Sequence, residues 1–224
     1  EAAAASLAQF ADQVLFQHAV AINFQPKGLA ERFAGMPEQV VKGFVADRQK
    51  LFSGGTARRL DTEVALGQWP ALLSRLETQL ERDGDFLLGE HPSVADFAHY
   101  HALWFVASNR AVAAALDPYP AVRAWMQRVR DIGHGSHAEL SADEAIRIAR
   151  EATPAALPTD AISSPTGLAA GQAVIVNAVD YGTDEVAGTL LYEGAEEIII
   201  AREDERAGLV HVHFPRFGFR IRAA

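Results

Sequence analysis

Histidines, carboxylates and arginines carry whatever side-chain chemistry this sequence offers. Cysteine is absent, which removes thiolate ligands, disulfides and thiol nucleophiles. His99 and His101 on a helix stand about 200° apart and cannot share a ligand face. His134 and His137 flank two small residues, with no third ligand nearby in sequence. His211 and His213 are the better pair, because on a strand they point the same way while Val210, Val212 and Phe214 take the core face. Zinc sites take roughly three or four protein ligands, so no metal site is expected. Arg216 lies between aromatics in His213-Phe214-Pro215-Arg216-Phe217-Gly218-Phe219, a setting for stacking or for a carboxylate; the competing reading is a corner of a β domain turned by Pro215 and Gly218. Asp184-Glu185, Glu196-Glu197 and Glu203-Asp204-Glu205 read as solvated turns. No Gly-rich phosphate loop, Ser/His/Asp signature or catalytic carboxylate pair stands out, so no catalytic or cofactor-binding residue is assigned.

The stretch that must position everything else is residues 86–104, FLLGEHPSVADFAHYHALW. Ser93 and Asp96, three apart before an apolar run, form a helix-starting capping box in which each satisfies the other's backbone N–H. Pro92 against Phe97 would add a hydrophobic staple. The helix behind them is apolar almost all round and should be central, which puts Asp96 in the core.

The sequence Phe-Leu-x-Gly-x-x-Pro-Ser-x-Ala-Asp, with Gly89, Ser93, Ala95 and Asp96 at the matching positions, resembles the capping box and staple of the C-terminal helical domain of cytosolic glutathione transferases. Tyr119-Pro120-Ala121-Val122-Arg123-Ala124-Trp125 and Ile132-Gly133-His134-Gly135 are similar to the helix that follows in bacterial members. The resemblance covers roughly residues 2–150. It implies a co-substrate pocket lined mainly from the first and central helices, and Phe16, Val20, Phe24, Tyr100 and Trp104 are candidates by type and place. It also implies a homodimer, and glutathione as co-substrate of a longer parent protein. In the family the thiol-activating residue and the glutathione site lie in an N-terminal thioredoxin-like domain, whose motifs are not in this sequence. A start at Glu1 rather than Met leads us to expect that such a domain precedes it; the other account is a protein that lost the site.

The remaining elements follow from periodicity. Helices are expected over residues 2–24, to about 34, over 37–52 with Val40, Val41, Phe44, Val45 and Leu51 inward, and over 61–82 with Val64, Leu66, Trp69, Leu72, Leu73, Leu76 and Leu80 as its stripe. Pro70 kinks that helix or sits in the first turn of a later one. Residues 117–132 bury Val122, Trp125, Met126 and Val129, and Ser141 caps a last helix to about 152. Pro154, Pro158 and Pro165 mark a linker over 154–170. Beyond it the period becomes two, giving five strands at 172–179, 186–192, 196–202, 209–214 and 217–222. A closed, SH3-like barrel is expected, since closure removes exposed edges. The fold is thus an all-α transferase-type bundle over 1–153 and a small five-stranded barrel over 171–224.

A net charge of −9 argues against nucleic acid and anionic membrane surfaces as partners. The absence of cysteine suits a reducing, cytoplasmic setting, and no apolar run approaches the ~18 residues of a membrane span. Two functional classes remain. One is a transferase-like enzyme, of which this chain alone is inactive for want of the glutathione site. The other is a non-catalytic scaffold that joins the helical bundle to a β docking module.

Overall fold

A computed structural model describes residues 1–57, 59–159 and 166–224. Contacts group the chain into two compact units, Glu1–Val41 with Arg59–His137, and Lys42–Arg58 with Ala138–Ala224. The linker expected over 154–170 includes residues 160–165, which lie outside the described residues.

The first unit is helical. Helix α1 (Ala2–Phe10) runs through a π-helical turn at Ala11–Leu15 into α2 (Phe16–Asn23), where the sequence pattern predicted one unbroken helix. Pro26, with its fixed φ, occupies the first turn of α3 (Pro26–Arg32). Helix α4 (Glu38–Leu51), whose residues 42–51 group with the second unit, follows with no buried residue: Val40 and Val45, expected to face inward, are exposed. Its pattern is amphipathic, but a pattern does not supply the partner that would cover it. Helix α5 (Thr62–Asp83) starts at Asp61, whose carboxylate accepts from the N–H groups of Glu63 and Val64, and continues unbroken past Pro70. Ala65, Trp69, Leu73, Leu76 and Leu80 form its buried stripe at helical spacing, whereas Val64 and Leu66 face outward.

Helix α6 (Val94–Ala107) buries Ala95, Asp96, His99, Ala102, Leu103 and Val106, and α7 (Pro120–Asp131) buries Val122, Trp125, Met126 and Val129. The apolar ones among them close one core with Leu15, Ala19 and Ile22. Asp96 fixes the entry of α6. The reciprocal box with Ser93 is present, and the fully buried carboxylate also takes the Leu87 N–H and the Trp125 indole N–H, each at 2.9 Å. Phe97 is 47% exposed, so the entry angle rests on this carboxylate rather than on burial of a staple ring.

In the second unit, α8 (Ala142–Glu151) is capped by the Ser141 hydroxyl, which accepts from the Glu144 N–H. Strands β1 (Ala173–Ala178), β2 (Val186–Glu193), β3 (Glu197–Asp204), β4 (Gly208–Pro215) and β5 (Phe219–Ala223) form an antiparallel sheet in the order β4-β3-β2-β1-β5. Val174, Val176, Leu190, Ile198, Ile200, Phe214 and Ile221 make its core. Among the described residues no ladder joins β4 to β5, so the closure expected of a barrel is not made by backbone pairing. The register of β2 on β3 shifts between Leu190 and Tyr192, a bulge that bends the sheet. Residues 42–51 of α4 and the loop after it belong to this unit: the Thr56 and Ala57 N–H groups donate to the carbonyls of Val179 and Asp180, and the Gly182 N–H donates to the Leu51 carbonyl.

Candidate functional site

The site is built on α2, α3 and α6, all within the helical unit. Phe16, Val20 and Phe24 recur every four residues and therefore share one face of α2 and its end. Opposite them on α6, His101 stacks on Phe16 with ring centres 5.1 Å apart. Phe105 lies 5.9 Å from Phe16 and takes Phe24 edge-on at 6.3 Å. Arg32, the last residue of α3, sets its guanidinium carbon 4.7 Å from the Phe105 ring centre. Trp104 precedes Phe105 in α6 and is 46% exposed.

A polar lock beneath the rings holds them in register. Buried Asn23 donates to the carbonyls of Ala19, at 3.2 Å, and Phe105, at 2.9 Å. Buried Asn109 donates to Asn23 Oδ1 at 3.0 Å and to the Gly28 carbonyl at 3.1 Å, while its own oxygen accepts from the Ala111 N–H. Gly28 is required by proximity, because a Cβ there would stand 2.1 Å from the Asn23 carbonyl oxygen. Helix α3 is thereby pressed onto the end of α2, and Arg32, one turn later, is aimed at Phe105.

Of the residues singled out from sequence, Phe16 and Phe24 make these ring contacts, Val20 lies one helical turn from each, and Trp104 precedes Phe105 on α6. Tyr100 turns instead to the core, edge-on to Trp125 at 6.4 Å. Sequence reasoning missed Phe105, His101 and Arg32. Helical spacing from Phe97 and His101 contained the first two, but nothing local linked α3 to α6.

The other histidines have structural surroundings. Buried His99 meets the Ala95 carbonyl at 2.8 Å through Nδ1, and Phe10 at a ring separation of 6.3 Å. Burial pushes its imidazole below the ordinary value, against the opposing pull of the Ala95 carbonyl and the Asp96 and Asp12 carboxylates. His211 and His213 share a face of β4, where His213 pairs with Glu197 at 2.9 Å. Among the described residues no three His, Asp or Glu side chains converge as metal ligands. Arg216, read as a recognition candidate, is committed to a fully buried partner, Glu193, at 2.7 Å; Glu193 also accepts from the Thr166 hydroxyl. That arrangement leaves Phe217, at the tip between β4 and β5, 74% exposed. No described helix is long and apolar enough to cross a membrane.

A helical unit entered through a buried Ser93/Asp96 box, with an aromatic face on its first and central helices, is the architecture of a transferase C-terminal domain. The family model described as Glutathione S-transferase, C-terminal domain, matches residues 29–128. A solved structure of a GST-like protein from Pseudomonas syringae is 42% identical to the chain, superimposes with a TM-score of 0.79, and is matched over 100% of this chain and 68% of that one. No curated protein matches the chain. The chain belongs to the glutathione transferase family and carries its C-terminal helical domain.

Proposed function

We propose that this chain forms the co-substrate side of a glutathione transferase-like protein, with Phe16, Val20, Phe24, Phe105 and Trp104 as the wall against which an apolar electrophile lies. The aromatic face within a member of this family carries the reading. Glutathione is bound and activated by a thioredoxin-like domain of a longer parent, which works as a cytoplasmic homodimer. The reaction is thiolate attack on the electrophilic centre of the co-substrate, or reduction by glutathione. The helical wall gathers and orients the electrophile, and proximity to the anchored thiolate provides the rate.

The 224-residue chain should therefore bind a chlorinated nitroaromatic, quenching Trp104, yet show no conjugation above background. A rate that saturates in glutathione would mean that these residues already hold a thiol site. Absence of quenching, or quenching unchanged in Trp104→Phe, would remove the wall from the proposal.

A second reading, a scaffold that docks partners through its β unit, is favoured by Phe217. The tip is held from both sides by the Arg216 N–H on the Glu196 carbonyl and the Val179 N–H on the Gly218 carbonyl, and it presents a bare ring. The strand order, a meander whose fifth strand returns beside the first, also suits an SH3-like module.

A further inference from the structure

Arg32 is a cation without an anion. Its Nε is buried and has no hydrogen-bond partner, and among the described residues no carboxylate pairs with its guanidinium. The adjacent acid, Glu31, is taken by Arg110 at 2.7 Å. Elsewhere in the same unit Arg82, Arg123 and Arg128 each hold a carboxylate. Arg75 and Arg130 of this unit also hold no carboxylate; Arg32 differs in that, among the described residues, it is the arginine whose buried nitrogen has no partner. The cation is tolerated where it stands, in the last turn of α3 and over the face of Phe105. A buried donor lacking an acceptor costs free energy, and the charge of the same guanidinium is what an anion at this face would meet.

We propose that Arg32 reads a carboxylate on the co-substrate, so that the molecules this face accepts are small aromatic acids, their ring against Phe16 and Phe105 and their carboxylate on the Arg32 guanidinium. The inference rests on the aromatic face being the co-substrate site. A single cation suits a monoanion, whereas nucleic acid or a lipid surface calls for several cations together. The aromatic surroundings favour an aryl acid over the carboxylates of glutathione, which has no ring to place there. The planar fork of arginine also fits a carboxylate in two-point contact.

The test is equilibrium binding of 2-naphthoate and of neutral 2-naphthalenemethanol to the full chain, with Arg32→Gln and Arg32→Lys alongside. The wild type should hold the acid about ten-fold tighter than the alcohol, the scale of one charged hydrogen-bonding contact. R32Q should bring the acid down to the alcohol while leaving the alcohol unchanged, and R32K should keep part of the preference. Equal affinity for the two probes in the wild type, or a preference that survives R32Q, overturns the carboxylate role and leaves the aromatic face standing. Binding of neither probe overturns both. Displacement of naphthoate by glutathione at a concentration near its own dissociation constant would assign the anion to the tripeptide and also overturn the proposal. Should R32Q lose the alcohol as well, R32K decides: a retained preference supports the inference, and a lost preference with intact alcohol binding sinks it.

Discussion

Asp96 shows how one side chain can define a fold. Its Oδ1 accepts from the Leu87 N–H and the Trp125 indole, and its Oδ2 accepts from the Ser93 N–H at 2.8 Å and the Ser93 hydroxyl at 2.9 Å. Four donors on a fully buried carboxylate tie the loop before α6, its first turn and α7 to one point. Only the Ser93 half of this arrangement was legible in the sequence, because the spacing of three is a local signature. The indole lies 29 residues away and leaves no such pattern. Asp96→Ala strands these donors in the core and is expected to destabilise the helical unit by about 3 kcal/mol. Trp125→Phe should cost about 1–2 kcal/mol, since one bond is lost and its partner keeps three others. Chemical denaturation followed by tryptophan fluorescence measures the first. A loss below about 0.5 kcal/mol for Asp96→Ala would show that the carboxylate contributes little to the folded state.

At the scale of elements, the strands were more legible than the packing of the helices. Period-two runs broken by Gly and Asp turns located β1 to β5 within about two residues at each end. The bulge in β2 and the missing β4 to β5 ladder depend on twist, which no alternation pattern encodes. The helical stripe of α5 was readable, but Val64 and Leu66 look the same in sequence as the buried residues beside them. The start of α7, expected at 117, lies at Pro120, and its cap was not readable. Its preceding residue, Tyr119, supplies no side-chain cap; instead Glu77, from α5, accepts from the Ala121 and Val122 N–H groups, each at 2.8 Å. A carboxylate at a helix N-terminus satisfies otherwise unpaired donors and complements the dipole. Glu77→Ala should therefore lower stability by about 1–2 kcal/mol, with Glu77→Gln intermediate because the amide oxygen can replace one acceptor. Amide exchange at Ala121 and Val122 should accelerate in both variants, and unchanged protection there would show that the cap is dispensable.

For the whole molecule, the change from period 3.6 to period two discloses that strands follow helices in the chain. It does not disclose that Lys42–Arg58 groups by contact with the sheet. The bonds responsible run between backbone groups of residues 51–57 and 179–182, and backbone bonds leave no trace in side-chain composition. Gly55 is the position where this close approach leaves least room for a side chain. A Cβ there would stand 1.6 Å from the Asp180 carbonyl oxygen and 2.4 Å from its carbon, and backbone cannot swing aside as a side chain does. Gly55→Ala is expected to cost about 1–3 kcal/mol, the usual range for overpacking, and to cost it in the second unit. The protein carries its own discriminating probe, since Trp69, Trp104 and Trp125 all belong to the first unit and report on that unit alone. In Gly55→Ala the tryptophan-detected denaturation midpoint should stay at the wild-type value while amide exchange in β1 and β2 speeds up. If the tryptophan midpoint falls together with the protection of the strands, the two units unfold as one cooperative body and the contact division has no thermodynamic meaning.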